Sequence, residues 1–324
     1  MQNFHAIGID ISKHTLDVCA IFDEKMRKQT FDNTESGFKN LVKWKEKLGA
    51  INPHICMEST GCYSESAAEF FDSFGYKVSV VNPLQIKSFR MSKMIRQKTD
   101  SSDSECIAKF CIQNNPNPWH PKLLENKALH EIRTRINSLN VELNRVTNSL
   151  EKKHLNKVVL ASINKEIKFI KKSIETLEKE AKRIIEKSEK LKQQYDLLTD
   201  INGVGNKTAL AILADMPDVS RFENAKQYAA FVGVTPSHFQ SGISVNGKSK
   251  ISRLGSKKTR KTLYMCALVV KNNNPHFKKW VQTLENKGKP PKVIIVAVMR
   301  KLLHIFFGVL KNNQKFDPEL AFHD

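Results

Sequence analysis

Between Leu129 and Leu198, apolar residues recur alternately three and four positions apart, and no other feature of the sequence restricts its fold as much. Leu129, Ile132, Ile136, Leu139, Leu143, Val146 and Leu150 form one seam. After a break around Lys152 to Asn156, a second runs through Ile167, Ile170, Ile174, Leu177, Ala181, Ile184, Ser188, Leu191, Tyr195 and Leu198. Two sustained 3–4 seams with Lys and Glu between them predict long helices of the coiled-coil kind. They can fold back as a hairpin or pair with another subunit, and the sequence does not choose. An apolar stripe is core, so this region is expected to supply spacing and dimer contacts and no chemistry.

Upstream the rhythm is that of strands. Residues 4–11 (FHAIGIDI) and 15–21 (TLDVCAI) predict two β-branched strands joined by the turn SKH, with a third near Lys28 to Phe31. Helical periodicity over 36–48 is followed by the strand HICMES, a helix over 64–74 and the strand KVSVV ending at Asn82-Pro83. Three opening strands and then alternating helix and strand predict an α/β domain on a mixed sheet, in the order of the ribonuclease H-like plan. From Thr199 a third region begins with DINGVGNKTALAILADM and closes with helices. The expected division is therefore 1–120, a helical spacer over 121–199, and a mainly helical domain over 200–324.

The 324 residues carry a formal charge of +20, which favours a polyanionic partner because each Lys or Arg set on a phosphate releases a condensed counterion. A merely basic surface is the alternative. The six cysteines (Cys19, Cys56, Cys62, Cys106, Cys111, Cys266) include no CxxC pair and no zinc-ligand spacing, and most sit inside apolar runs, so buried reduced thiols are expected for most of them, and with them a cytoplasmic location. The N-terminus, MQNFHAIGIDIS, lacks the pattern of a signal peptide. Residues 293–310 are the most apolar stretch, but Arg300, Lys301 and His304 near its middle predict a buried amphipathic helix and no membrane span.

Four acids stand out. Asp10 sits inside the first strand between Ile9 and Ile11, where an unpartnered carboxylate costs several kcal/mol or shifts its pKa upward. Glu58 ends HICMES, and Asp100 and Asp103 lie three apart at a helix start, on one face. Taken singly, Asp100 or Asp103 is accounted for as a helix cap or first-turn acid, and Glu58 as an exposed strand end. Together they can converge on divalent metal: hard Mg²⁺ takes oxygen ligands, and two ions about 3.5–4 Å apart serve the attacking and leaving oxygens.

Two further motifs favour DNA. Ile201-Asn202-Gly203-Val204-Gly205, followed by Lys207 and Thr208, resembles a helix-hairpin-helix, in which Gly203 and Gly205 let the backbone approach a phosphate and the next helix N-terminus offers free N–H groups. A structural turn is the alternative. PSHFQSG (236–242) precedes Lys248, Lys250, Arg253, Lys257, Lys258, Arg260 and Lys261. A loop serine before these cations suits attack on a phosphodiester. Ser-Gly is equally a common turn, and basic runs are commonly solvated faces.

Read together, GIDISKHTLDV, MESTGCY, KTDSSDSECIA, INGVGNKTALAILADM, FVGVTPSHFQSG and ISRLGSKKTRKTL resemble the DEDD transposases of insertion sequences, a family that includes pilin-gene invertases. The likeness runs in order over nearly the whole chain. It implies a RuvC-like domain, a coiled coil and a C-terminal transposase domain. It further implies Mg²⁺ (or Mn²⁺) bound by Asp10, Glu58, Asp100 and Asp103, and covalent linkage of Ser241 to DNA, with Ser237 and Ser244 as nearby substitutes. Family members are guided by a structured RNA of their own element, so RNA and double-stranded DNA are the implied partners, on a homodimer or homotetramer at the bacterial nucleoid. The competing readings are a RuvC-like nuclease in which water attacks and no serine is needed, and a non-catalytic nucleic-acid scaffold.

Overall fold

The computed structural model describes residues 5–23, 25–49, 52–94, 100–121, 123–151, 156–241, 245–252 and 254–322; the side chains of 100, 101, 237–241 and 245–250 lie outside that description. The chain divides into two compact units, Met1–Pro121 and Lys122–Asp324.

The first unit is built on a five-stranded mixed sheet: β1 (Ala6–Ile11), β2 (Thr15–Phe22), β3 (Lys25–Asp32), β4 (His54–Glu58) and β5 (Val78–Val81). The order is β3-β2-β1-β4-β5, with β2 antiparallel to β1 and β3, and β4 parallel to β1 and β5. Alternation along each strand sorts the side chains. Ile7, Ile9, Leu16, Val18, Ile55 and Met57 go to one face, under α1 (Glu35–Lys47) and α2 (Cys62–Ser73). Ala6, Cys56 and Val81 go to the other, under α3 (Pro83–Ser92) and α4 (Asp100–Asn114). The helices start where capping predicts: Thr34 accepts from Gly37 N, and Asn82 from Leu84 N ahead of Pro83.

In the second unit, α5 (Leu124–Asn148) and α6 (Lys157–Lys187) pack along the two seams, Ile136, Leu139 and Val146 against Ile170 and Ile174. The fold-back hairpin is thus the arrangement within one chain. The second seam is not one helix, as its rhythm suggested. Ser188 turns extended (φ −104°, ψ 112°) and caps α7 (Glu189–Thr199) by accepting from Leu191 N. Next come α8 (Asn206–Asp215), α9 (Ala225–Val232), a hairpin of β6 (Pro236–Ser241) and β7 (Val245–Ile251), and then α10 (Lys257–Asn273), α11 (Pro275–Asn286), α12 (Pro291–Asn312) and α13 (Pro318–Phe322).

Helix α12 has the length and hydropathy of a membrane span. Ile294, Val298, Leu302, Leu303 and Phe306 on it are nonetheless buried in the core of the unit, as expected for a core helix. A polar knot joins three helices inside this unit. Arg133 of α5 is ion-paired to Asp215 of α8, which also meets His130 Nδ1 at 3.1 Å and accepts from Thr259 Oγ1 of α10 at 3.1 Å.

Candidate functional site

The strand order reverses between β1 and β4: the chain passes from β1 to β2 on one side, and β4 leads to β5 on the other. Crevices for ligands open at the carboxyl ends of strands at such a switch point. Asp10 and Glu58 stand there. The β1–β4 register pairs Gly8 with Cys56 and Ile9 with Met57, so the next step sets Asp10 beside Glu58, both half-buried on the α4 face.

Helix α4 reaches that face because Gly8 has no side chain. A Cβ on Gly8 would lie 2.3 Å from Ala108 N and 2.3 Å from Ser104 O, closer than atoms pack. Only glycine admits the helix so near. Asp10, two residues beyond Gly8, shares its face. The first turn of α4, which starts at Asp100 and carries Asp103, precedes the segment seated on Gly8.

Asp103 is ion-paired with Arg90 of α3, and Ser102 Oγ donates to the same carboxylate oxygen, Oδ1, at 3.3 Å. Burial works against the charge on Arg90, but the bond it donates to the Cys106 sulfur and the Asp103 carboxylate outweigh it and raise its pKa. Burial pushes the Cys106 thiol up in turn, against the pull of Arg90. Nearby, Glu105 is held below the usual carboxylate range by bonds from Lys109 (2.6 Å) and Lys28 (2.7 Å).

Two neighbours of these acids, Asp17 and Arg90, are not among the residues to which the sequence points. Asp17 of β2 pairs directly with Asp10 and accepts from Thr30 Oγ1 at 2.7 Å. The signal was available, since TLDVCAI alternates and its acid falls where GIDIS puts its own. Arg90 had no such signal, because its pairing with Asp103 links separate helices.

The donors are all carboxylate oxygens, the chemistry that hard Mg²⁺ or Mn²⁺ takes. No group of three or more His, Cys, Asp or Glu among the described residues is drawn together as a metal cage. The side chain of Asp100 lies outside the described residues.

In the second unit the hairpin glycines differ. Gly203 (φ +96°) faces Val270 of α10, where a Cβ would come within 2.8 Å of Cγ2 and 3.0 Å of Cα. Gly205 caps α8 and has open space before it. Lys207 is 82% exposed, 3.8 Å from Glu178, whereas Thr208 is buried at 6% and bonded to Cys266. Lys257, Lys258 and Lys261 are exposed on the first turns of α10. Arg260 turns inward, donating to Val232 O (2.9 Å) and Gly255 O (3.1 Å), so its guanidinium is spent on the fold.

The serine motif, read as a loop, is instead the β6 strand. Ser241 ends it, paired with Val245, and Lys248 and Lys250 lie on β7 with Ser237 opposite Lys250. Alternating residues on both sides of a short connection make a hairpin here, and the polar composition had masked that pattern. Ser244 and Arg253 lie outside the described residues.

Residues 7–160 match the DEDD transposase model of the IS110 group, and residues 195–282 match the Transposase IS116/IS110/IS902 family. The pilin gene-inverting protein of Moraxella bovis is 34% identical over 331 residues, covering 97% of this chain and 98% of that protein. Its counterpart in Moraxella lacunata is also 34% identical, with the same coverage. The transposase of insertion element IS1111A from Coxiella burnetii is 21% identical across 98% of this chain and 92% of its own length. These matches define a DNA recombinase of the transposase class. Within that class, the chain belongs to the IS116/IS110/IS902 transposase family.

Proposed function

We infer that this recombinase cuts and rejoins DNA through a serine–phosphodiester intermediate, at a RuvC-like, ribonuclease H-type acid cluster. The observation that carries the reading is Asp10 beside Glu58 at the switch point of a β3-β2-β1-β4-β5 sheet, with the first turn of α4 on the same face. Asp10, Glu58, Asp100 and Asp103 would hold Mg²⁺ or Mn²⁺, which supplies charge neutralisation at the scissile phosphate. The Ser241 hydroxyl oxygen attacks phosphorus as one P–O bond to sugar breaks. The serine proton leaves, the released sugar oxygen takes one up, and the retained phosphoester is available for rejoining.

Several further roles belong to this reading. The helix-hairpin-helix at Gly203 and Gly205, with Lys207, Lys248, Lys250, Lys257 and Lys258, grips duplex backbone without reading sequence. Selection of target falls to a structured RNA encoded by the element, which fits the +20 charge. Strand exchange requires at least two active sites, so the working form is a homodimer or homotetramer, acting in the cytoplasm on the nucleoid; the α5–α6 seams serve as its coiled-coil spacer.

The test is chemical. End-labelled element DNA incubated with the protein is expected to yield a protein-linked fragment on a denaturing gel, lost in Ser241→Ala and Asp10→Asn while RNA binding is kept. Free labelled ends without linked protein would replace the serine step by metal-dependent hydrolysis. Wild-type activity in Asp10→Asn would remove the acids from the reaction.

A further inference from the structure

β3 is an edge strand, and on the α1 side of the sheet it borders a groove of about 510 Å³. Lys43 and Lys47, one turn apart on α1, form one wall, Gln29 and Asn40 add amides, and Trp44 provides an aromatic surface. Trp44 is steadied edge-on against Phe31, ring centroids 5.7 Å apart. Arg27 lies two residues before Gln29 on the same strand, so alternation gives it the same side, about 6.6 Å along.

The charges are not neutralised from within. Nearby Lys28 is paired with Glu105 and Lys39 with Glu35. Arg27, Lys43 and Lys47 have no ion-pair partner among the described residues, and Asp32 at one end is the only acid in the lining. Unpaired cations, two of them one helical turn (about 5.4 Å) apart, beside an aromatic ring and amide groups form the combination that tracks the backbone of a single strand and stacks its bases.

We propose that this groove binds a single-stranded segment of RNA. The side of the sheet selects the occupant. Asp10 and Glu58 face α4, whereas the groove opens on the α1 side, so a strand lying in it is held and its phosphates do not meet the acids. A nucleic acid that is gripped and left uncut is the part RNA plays in the function proposed above, and the assignment rests on that reading.

The test uses the full-length protein and fluorescence anisotropy with labelled poly(U) RNA and, separately, a duplex DNA oligomer, across a salt series. The triple variant Arg27→Ala/Lys43→Ala/Lys47→Ala is expected to reduce the slope of log K against log[salt] for RNA by about 2, at roughly 0.7 per lost single-strand phosphate contact. The duplex DNA slope should stay unchanged. All three side chains are exposed and outside the core, so an unchanged thermal transition checks folding. An unchanged RNA slope beside normal wild-type RNA binding overturns the groove alone. An equal fall in the DNA slope assigns the groove to DNA and overturns the RNA occupant. Absence of RNA binding by the wild-type protein overturns both the groove and the RNA partner.

Discussion

Gly8→Ala isolates the contact on which the acid arrangement depends. The new Cβ would sit 2.3 Å from two α4 backbone atoms, and an ordinary contact of 3.4 Å requires the helix to retreat by about 1.1 Å. Backbone atoms of a packed helix cannot swing aside as a flexible side chain would. Overpacking of this kind costs about 1–3 kcal/mol. The loss of chain entropy in the unfolded state returns roughly 0.4–1 kcal/mol, so a net destabilisation of about 1–2 kcal/mol is expected. With a urea m-value of about 1–3 kcal/mol/M, the midpoint falls by roughly 0.5–1 M. Trp44 and Trp119 lie in the first unit and Trp280 in the second, so a Trp280→Phe background lets fluorescence follow the first unit. Because α4 carries Asp103, a displacement of about 1 Å should also lower strand cleavage about 10²-fold. A variant with the wild-type midpoint and undiminished cleavage would refute the claim that this glycine seats α4 and thereby sets the acid geometry.

The second unit gives further expectations. Gly203→Ala meets both a positive φ and the Val270 backbone, and should lower the unit's stability by about 1–3 kcal/mol; Gly205→Ser, with open space and a cap position, should raise it by a few tenths, both read by denaturant midpoint. Arg133 and Asp215 have side chains only 7% and 9% exposed, so Arg133→Met alone should cost about 3–5 kcal/mol by stranding a buried carboxylate, and Asp215→Leu added to it should recover much of that loss. Burial pushes the Asp218 carboxyl up, but Lys190 at 2.8 Å and the Ser220 N–H outweigh it and set its pKa at about 2. A folded pKa below the unfolded value of about 3.9 stabilises the fold above that pH, and the stability is lost as pH falls toward 2. Asp218→Asn should therefore flatten the dependence of unfolding midpoint on pH between about 4 and 2, while leaving its slope at neutral pH unchanged.

The strands of the first unit were legible because β-branched residues alternate in short runs bounded by turns, and each observed strand overlaps its expected span. The long helices were legible because their seams need no knowledge of a partner. Capping, by contrast, is decided by one backbone turn, and the second seam concealed the interruption at Ser188 because a serine fits the stripe about as well as it fits a cap. The β6–β7 hairpin was missed for a related reason: PSHFQSG and SVNGKSKI are too polar to show which side of a strand is buried. The pairings of Arg90 with Asp103 and of Arg133 with Asp215 were invisible, since each joins elements whose proximity only the tertiary fold creates.

What the sequence did display, without saying why, was the spacing of glycine and acid in GIDIS. Strand β1 sends Ile7, Ile9 and Ile11 into one core, and that face alone would anchor it in the sheet. Its other face alternates Ala6, Gly8 and Asp10, small residues followed by a charge. If burial alone had shaped that face, larger side chains would fill it and hold α4 at an ordinary distance. Instead the small residues bring a helix backbone against the strand and so carry the start of α4 toward Asp10. Close packing and carboxylate placement are thus one decision made twice in three residues. Of the two, the glycine is the one whose replacement leaves every acid in the sequence and still shifts the helix that carries Asp103.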